Sequence, residues 1–200
     1  MIISTAADFS TRERVAAMAA TLFAERGFAG VSMRDIALAV GMKAASLYNH
    51  FADKETLYGA ALAHAFTGRV RIIDEALNAA GAPRERLRAM VMALVQATAG
   101  DPDAARLLQR ELLDAGPGRL ERLTRDLFRA PFDRMTALLS ELAPGTDGAR
   151  IAIYLIALVQ GLFMLSPLLP FLDDSLPTDT AHFSDGLVEE LVTRLGGAVT

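Results

Sequence analysis

The stretch from Ser32 to Phe51 constrains the fold more than any other part of this 200-residue chain. Two runs of helix-forming residues meet there at Gly41, which tolerates positive φ because it has no Cβ. Ser32 can cap the first run, and Asp35, three residues later, can complete a capping box. The pattern predicts two short helices joined by a tight turn, although a helical hairpin in an ordinary bundle has the same spacing.

The second predicted helix has two different faces. Leu47 and Phe51 are four residues apart, so they lie on one side and are expected to join a core. The opposite side carries small and polar residues: Ala44, Ala45, Tyr48 and Asn49. A helix face of this kind can lie in the major groove of DNA, where its side chains reach base edges and phosphates.

Capping residues and apolar patterns on both sides of residues 32–51 predict further helices. Upstream, Ser10 and Glu13 have capping-box spacing, and Gly27 ends the predicted helix that follows. Five apolar residues recur at helical spacing between them: Val15, Met18, Ala19, Leu22 and Phe23. Downstream, Asp53 can cap a fourth helix. A three-helix unit leading into a fourth helix is therefore expected.

Several motifs agree in order and register between about Thr11 and Tyr58. They are T-R-E-R, L-F-A-E-R-G-F, S-M-R-D-I-A, G-x-x-x-x-S-L-Y-N-H-F and K-E-x-L. In this arrangement the chain resembles the amino-terminal DNA-binding domain of the tetracycline-repressor (TetR) family. The resemblance implies an all-α protein in which a three-helix helix-turn-helix head (residues 1–54) precedes a larger helical body for ligand binding and dimerisation (residues 55–200).

The resemblance also implies which side chains contact DNA. The expected set is Ser32, Arg34, Lys43, Ala44, Ala45, Ser46, Tyr48, Asn49, His50 and Lys54. Two positions depart from the family pattern, because Lys43 stands where a hydroxyl residue usually caps the recognition helix and Ala44 where a basic residue commonly follows. Two others have structural alternatives: His50 could be satisfied by a local carbonyl, and Lys54 could be a solvated cation at a helix start.

Charge and composition narrow the class of protein. The net charge of −4 argues against a nonspecific nucleic-acid coat protein, and residues 1–60 hold equal numbers of acidic and basic side chains, including both lysines. We therefore expect few neutralised phosphates and a shallow salt dependence. The chain has no cysteine, which excludes disulfides and thiolate metal sites and is compatible with a cytoplasmic protein. We expect no cofactor and no metal site.

Proline and glycine divide the remaining chain into predicted helices. These run from Asp53 to about Ala79, from Pro83 to Gly100, from Pro102 to Leu113 and from Leu120 to Leu142, with an interruption expected at Pro131. Glycine and proline at 116–118 mark a break. Thr178 can cap a final helix with an apolar stripe of Phe183, Leu187, Val188, Leu191, Val192 and Leu195.

The segment from Ile151 to Leu172 contains no charged residue. Its length raises the alternative of a membrane span, but Pro167 and Pro170 leave an unbroken helical part shorter than the roughly 20 residues that a span needs. We prefer a helix buried on most sides, against its own body and against a second subunit, and expect no membrane association. With the final helix it can form a four-helix interface in a homodimer.

Family members commonly bind a small molecule in the body and then release DNA. Candidate ligand contacts, which are equally suited to a plain core, are Phe66, Gln109, Arg110, Phe128, Phe132, Tyr154 and Phe163. If buried, Arg110 would need a partner such as Glu111, Asp114 or an anionic ligand. No catalytic set stands at local spacing, so we expect a regulator and not an enzyme. The predicted function is a dimeric repressor of a palindromic operator, released by an effector; the alternative is a constitutive DNA-binding or architectural protein without a ligand switch.

Overall fold

The computed structural model describes residues 10–114 and 117–172, together with Gly186. These residues form helices and turns without a β-strand, which confirms the all-α class. The helices are α1 (Thr11–Arg26), α2 (Met33–Ala39), α3 (Ala44–His50), α4 (Lys54–Leu77), α5 (Pro83–Ala99), α6 (Pro102–Asp114), α7 (Pro117–Leu123), α8 (Arg129–Leu142), α9 (Gly148–Leu165) and α10 (Leu169–Leu172). The final helix predicted from Thr178 onward lies outside the described residues.

Capping boxes start the first two helices where the sequence predicts them. The Ser10 hydroxyl accepts a hydrogen bond from the Glu13 amide (3.2 Å), and the Glu13 carboxylate accepts one from the Ser10 amide (2.8 Å). Ser32 and Asp35 make the same reciprocal pair at the start of α2. Gly27 and Gly41 follow α1 and α2 with φ of 72° and 71°, so both turns use a conformation that favours glycine.

The apolar pattern of the first three helices is confirmed with one exception. Leu47 and Phe51 are buried, as are four of the five apolar residues predicted on α1. The fifth, Met18, is 37% exposed and is therefore at the rim of the core. Its neighbour Ala19 is fully buried, so the helix turns a small side chain inward at that level.

The irregular segment before α8 differs from the prediction. The helix predicted to begin at Leu120 begins at Pro117, as α7. A π-helical turn, Thr124–Phe128, then separates α7 from α8. Pro131 itself is buried within the first turn of α8. Because proline has no N–H and its ring displaces the carbonyl four residues earlier, the irregularity falls upstream of Pro131.

The described residues pack into two compact units. The first contains α1 to α3, α4 up to Thr67, and the described residues between 102 and 120; the second contains residues 68–101 and 121–172. Within the first unit, α6 packs against α1, and the functional division between residues 54 and 55 stays a prediction. Ala104 and Leu107 are buried side chains of α6. We therefore assign α6 to the same packing unit as the helix-turn-helix.

The second packing unit has its core between α5, α8 and α9. Leu87 and Met90 of α5 are fully enclosed with Leu138 and Leu139 of α8. A Cβ built on Gly148, the first residue of α9, would meet the Ser140 side chain and would lie 2.5 Å from the Thr136 carbonyl oxygen. Glycine at this position therefore permits the close approach of α9 to α8.

Among the residues that the structure describes, one edge of α9 is buried. Ala152, Leu155 and Val159 are buried, whereas large apolar side chains elsewhere on the helix are exposed: Ile153, Tyr154, Leu158, Met164 and Leu165. The described part of one chain thus does not bury α9 on most sides, and the predicted cover by a second subunit stays a prediction. A 3₁₀ turn, Ser166–Leu168, ends α9 at the predicted proline break. By length and composition the Gly148–Leu172 segment could cross a membrane, and 17% of its most apolar 18-residue stretch is buried.

Candidate nucleic-acid interface

Helix α3 presents a polar face because its other face is anchored in the core. Leu47 and Phe51 are buried, while Tyr48 is 53% exposed and Asn49 is also exposed. Lys43 occupies the N-cap position, where an ammonium group cannot accept the amide hydrogen bonds that a hydroxyl would accept. The Lys43 side chain is exposed and free to point toward an external anion.

A concavity of about 540 Å³ lies beside this face of α3. Among the residues that line it are Ser32, Arg34, Tyr48 and Lys54, which are four of the predicted DNA contacts. The other six belong to α3 or to its cap: Lys43, Ala44, Ala45, Ser46, Asn49 and His50. The structure therefore brings four of the ten predicted residues to one concavity, and the DNA contacts themselves stay a prediction.

Ser32 is engaged in a local network. Its hydroxyl lies 2.6 Å from Asp35 Oδ2, and the Asp35 amide donates to that hydroxyl. Hydrogen bonds from the Ser32 hydroxyl and from its backbone amide lower the pKa of Asp35 below its ordinary value. Asp35 lines the same concavity, so its carboxylate adds a negative charge beside Arg34 and Lys54.

Lys54 is the first residue of α4 and is oriented by an aromatic ring. Its Nζ lies 4.3 Å from the centre of the Phe28 ring, within the range of a cation–π contact. The Asp53 carboxylate accepts a hydrogen bond of 2.7 Å from the Thr56 amide and thus caps α4. Hydrogen bonds from Thr56 lower the pKa of Asp53. The cap and the ring together fix the start of α4 next to the concavity.

Arg12 is a positioning residue that sequence reasoning missed. Its guanidinium donates to the backbone carbonyl of His50, the last residue of α3. The same group lies 4.4 Å from the centre of the Phe51 ring. The sequence signal was present in T-R-E-R, but that motif indicates only a helix start. Arg12 instead ties α1 to the carboxyl end of α3.

A buried polar cluster lies in the first packing unit and was also missed. Glu111 is 0% exposed, accepts a hydrogen bond of 2.7 Å from the Tyr58 hydroxyl, and pairs with Arg119 Nε at 3.2 Å. Burial and the hydrogen bond to Glu111 raise the pKa of Tyr58 far above its ordinary value. Tyr58 is therefore a neutral donor at physiological pH.

Arg110 has a different partner from those that the sequence suggested. Its Nε and Nη2 donate to the carbonyls of Ala24 and Glu25, each at 2.9 Å. These carbonyls belong to the last turn of α1, where helix geometry leaves acceptors unsatisfied. Arg110 thus caps a helix, and this role explains its position without a bound anion.

The other predicted ligand contacts are divided between the two packing units. In the first unit, Phe66 is buried but Gln109 is exposed. In the second, Phe128, Phe132 and Phe163 are half-buried, whereas Tyr154 is 64% exposed. Gln109 and Tyr154 therefore do not face the interior as expected. Across the described residues there is no group of three His, Asp or Glu side chains placed to hold a metal ion.

Comparison with known proteins places these features in a family. The family model for "Bacterial regulatory proteins, tetR family" matches residues 16–61. The HTH-type transcriptional repressor Rv3405c of Mycobacterium tuberculosis is 34% identical over 167 residues, covering 79% of this chain and 77% of that protein. The repressor KstR2 of Mycolicibacterium smegmatis is 34% identical over 88 residues, and the match spans 44% of this chain and 43% of KstR2. The chain thus aligns with less than half of the length of KstR2.

Solved structures share the fold over nearly the whole chain. A tetR-family protein from Rhodococcus RHA1 has a TM-score of 0.74 at 23% identity, covering 94% of this chain and 97% of that one. AibR, crystallised with isovaleryl coenzyme A and operator DNA, has a TM-score of 0.69 at 22% identity, covering 88% and 96%. The extended match to Rv3405c, with the helix-turn-helix geometry above, shows that this chain belongs to the TetR family of bacterial transcriptional regulators.

Proposed function

We propose that this chain is a cytoplasmic repressor that binds a palindromic operator as a homodimer and is released by a small-molecule effector. The observation that carries the proposal is the grouping of Ser32, Arg34, Tyr48 and Lys54 around one concavity beside the exposed face of α3. Such a surface combines cations for phosphates with polar side chains for base edges.

Each group of side chains has a different role in this proposal. Arg34 and Lys54 neutralise phosphates at the rim of the groove, and Ser32 assists through the amino-terminal end of α2. Tyr48 and Asn49 offer a hydroxyl and an amide to base edges. The short side chains of Ala44, Ala45 and Ser46 permit close approach of α3, while Lys43 and His50 reach the DNA backbone at its two ends.

The dimer is proposed from the exposed face of α9. Tyr154, Leu158 and Leu165 form an exposed apolar strip in the part of the chain that the structure describes. Large exposed patches of this kind mark protein or membrane contacts. A second copy of the chain, related by a twofold axis, would cover the strip and place two α3 helices on half-sites about 34–36 Å apart or a multiple of that.

The effector response is proposed from the fold and from a relative. AibR has been crystallised with isovaleryl coenzyme A and operator DNA, so a protein of this fold accommodates both kinds of partner. In this chain an effector would release DNA only if it bound the DNA-incompetent state more tightly than the competent one. Equal affinity for the two states would shift nothing.

Selection of DNA from a random pool at near-physiological salt tests the proposal. Recovery of a palindrome is expected, and Tyr48→Ala should bind the recovered sequence at least tenfold more weakly while remaining folded. Met92→Ala is a matched control, because Met92 is an exposed side chain on α5. Failure of the wild-type protein to enrich any sequence would contradict the proposal.

Release is measured with the recovered operator. A panel of small molecules that includes isovaleryl coenzyme A is titrated into the protein–operator complex, and loss of DNA binding is followed by fluorescence anisotropy. A compound that also raises the melting temperature of the free protein is expected, because an effector stabilises the state that it binds. Binding without release would support the constitutive alternative.

A further inference from the structure

Phe28 is a single ring approached by two cations. Lys54 Nζ lies 4.3 Å and Arg119 Cζ lies 4.9 Å from its centre. Neighbouring rings also hold Phe28, since the Tyr58 ring meets it edge-on at 5.0 Å and Phe23 stacks at 6.0 Å. The ring that orients Lys54 is therefore itself fixed by an aromatic cluster and by Arg119.

Arg119 is held from its other side by carboxylates. Its Nε lies 3.2 Å from Glu111 Oε1, and its Nη1 lies 3.8 Å from Glu55 Oε2. The second oxygen of Glu111 is occupied by the Tyr58 hydroxyl. Because Glu111 is fully buried, loss of Arg119 would leave a poorly compensated charge in the interior. The guanidinium consequently has one strongly favoured position, over the rings of Phe28 and Tyr58.

An aromatic partner suits a lysine that must bind a phosphate. A carboxylate would neutralise the ammonium group, whereas a ring orients it and leaves its charge available to an anion. Lysine has a flexible stem, so an unoriented Lys54 would lose more side-chain entropy on binding DNA. Lys54 contacts the Phe28 ring and also lines the concavity proposed to face DNA.

We infer that Arg119 is a positioning residue that orients Lys54 for a DNA phosphate through the Phe28 ring, and that Glu111 holds Arg119 in that position. The inference rests on the proposed function, because it requires that Lys54 contact the operator. The four residues of this chain of contacts, Glu111, Arg119, Phe28 and Lys54, lie in the first packing unit. This chain of contacts connects the α6–α7 region with the surface proposed to face DNA. A change that separates Arg119 from Glu111 would therefore weaken the contact of Lys54 with a DNA phosphate.

A double-mutant cycle on the full-length protein tests the inference. The Glu111→Gln/Arg119→Gln pair removes both charges together, so that neither is left buried and unpaired. We expect it to weaken operator binding about two- to fivefold, which corresponds to an exposed cation–π contact. Lys54→Gln should lower the slope of log affinity against log salt by about 0.9, the value for one phosphate. In the Lys54→Gln background the Gln pair should then have no further effect.

Persistence of the weakening in the Lys54→Gln background would overturn the inference, because a general structural effect does not depend on Lys54. Wild-type affinity of the Gln pair would overturn it as well. Phe28→Leu and Phe28→Tyr provide a second test: leucine should reproduce the loss and tyrosine should not. If the wild-type protein selects an operator but the cycle is additive, only this inference fails; if it selects none, the proposed function fails too.

Discussion

The guanidinium of Arg12, in the first turn of α1, lies 4.4 Å from the centre of the Phe51 ring at the carboxyl end of α3. Arg12 also donates to the His50 carbonyl at the end of α3. Two other arginines likewise donate to carbonyls at the carboxyl ends of helices. Arg110 donates to the Ala24 and Glu25 carbonyls of α1, and Arg69 donates to the Ala97 carbonyl of α5 and the Asp101 carbonyl just beyond it. Each guanidinium satisfies acceptors that a helix leaves free at its carboxyl end and complements the helix dipole.

Replacing Arg12 should loosen the recognition helix. We expect Arg12→Gln to lower the free energy of unfolding by about 1 kcal/mol, since it removes one charged hydrogen bond and one cation–π contact near the surface. Operator affinity should fall as well. Urea denaturation and anisotropy measure the two effects. Arg14→Gln is the control, because Arg14 is exposed on the same helix. Equal effects of the two substitutions would exclude a special role for Arg12.

Gly27 should not tolerate a side chain. Its φ of 72° and ψ of 167° lie in a region open almost only to glycine, and an added Cβ would lie 3.1 Å from Arg110 Nη1. We expect Gly27→Ala to reduce the free energy of unfolding by about 1–3 kcal/mol. Gly59→Ala should have the opposite effect, because Gly59 lies within α4 and an added Cβ would meet no neighbouring atom. We expect this substitution to raise the free energy of unfolding by roughly 0.5–1 kcal/mol. Urea denaturation distinguishes the two, and stabilisation by Gly27→Ala would refute the argument.

Acidification should remove part of the stability that Asp53 contributes. Its folded-state pKa lies below the ordinary value of 3.8 because the Thr56 side chain and amide hydrogen-bond the carboxylate. A lowered folded pKa gives stability above the unfolded value, which is lost as pH falls from about 3.8 through the folded pKa. Asp53→Asn keeps a capping oxygen but cannot titrate. Its denaturation midpoint should therefore fall less than that of the wild-type protein between pH 5 and about pH 3. Parallel pH profiles would contradict the assignment.

A charge on the exposed face of α9 should separate the proposed dimer. We expect the wild-type protein to sediment as a dimer and Leu158→Arg to sediment as a monomer with weakened operator binding, because an arginine would be desolvated in an apolar interface. Leu38→Arg is the control for oligomeric state, since Leu38 is an exposed leucine on α2. A wild-type monomer that cosediments with lipid vesicles would instead favour the membrane alternative for this segment.

The sequence predicts the helix-turn-helix well because its signals are local. Ser32, Asp35 and Gly41 act within a few residues of where they stand, so capping and turn chemistry place α2 and α3 correctly. The break before α8 was placed less well. The effect of Pro131 falls on the carbonyls of the preceding turn, so the irregular segment lies upstream of the proline itself.

The supporting contacts of the candidate site could not be predicted in the same way. Arg12, Arg119 and Glu111 act on residues far away in sequence, and local periodicity gives no information about such partners. Arg110 illustrates the difficulty: the sequence indicates only that a buried Arg110 needs a partner, and its partners in the structure are backbone carbonyls, which every residue type presents equally. The exposure of Gln109 and Tyr154 was not predicted for a related reason, since the helical pattern does not distinguish a side that faces the core from a side left exposed.

Both lysines of the chain belong to the surface proposed to face DNA. Structural cation contacts at helix ends use arginine, while both lysines of the chain, Lys43 and Lys54, are at the starts of α3 and α4. Reagents that acylate or alkylate primary amines would therefore modify side chains almost exclusively on the surface proposed to face DNA. Amine coupling to a sensor chip would tend to bury that surface against the support, whereas protection of Lys43 and Lys54 from acetylation would be a direct footprint of bound operator.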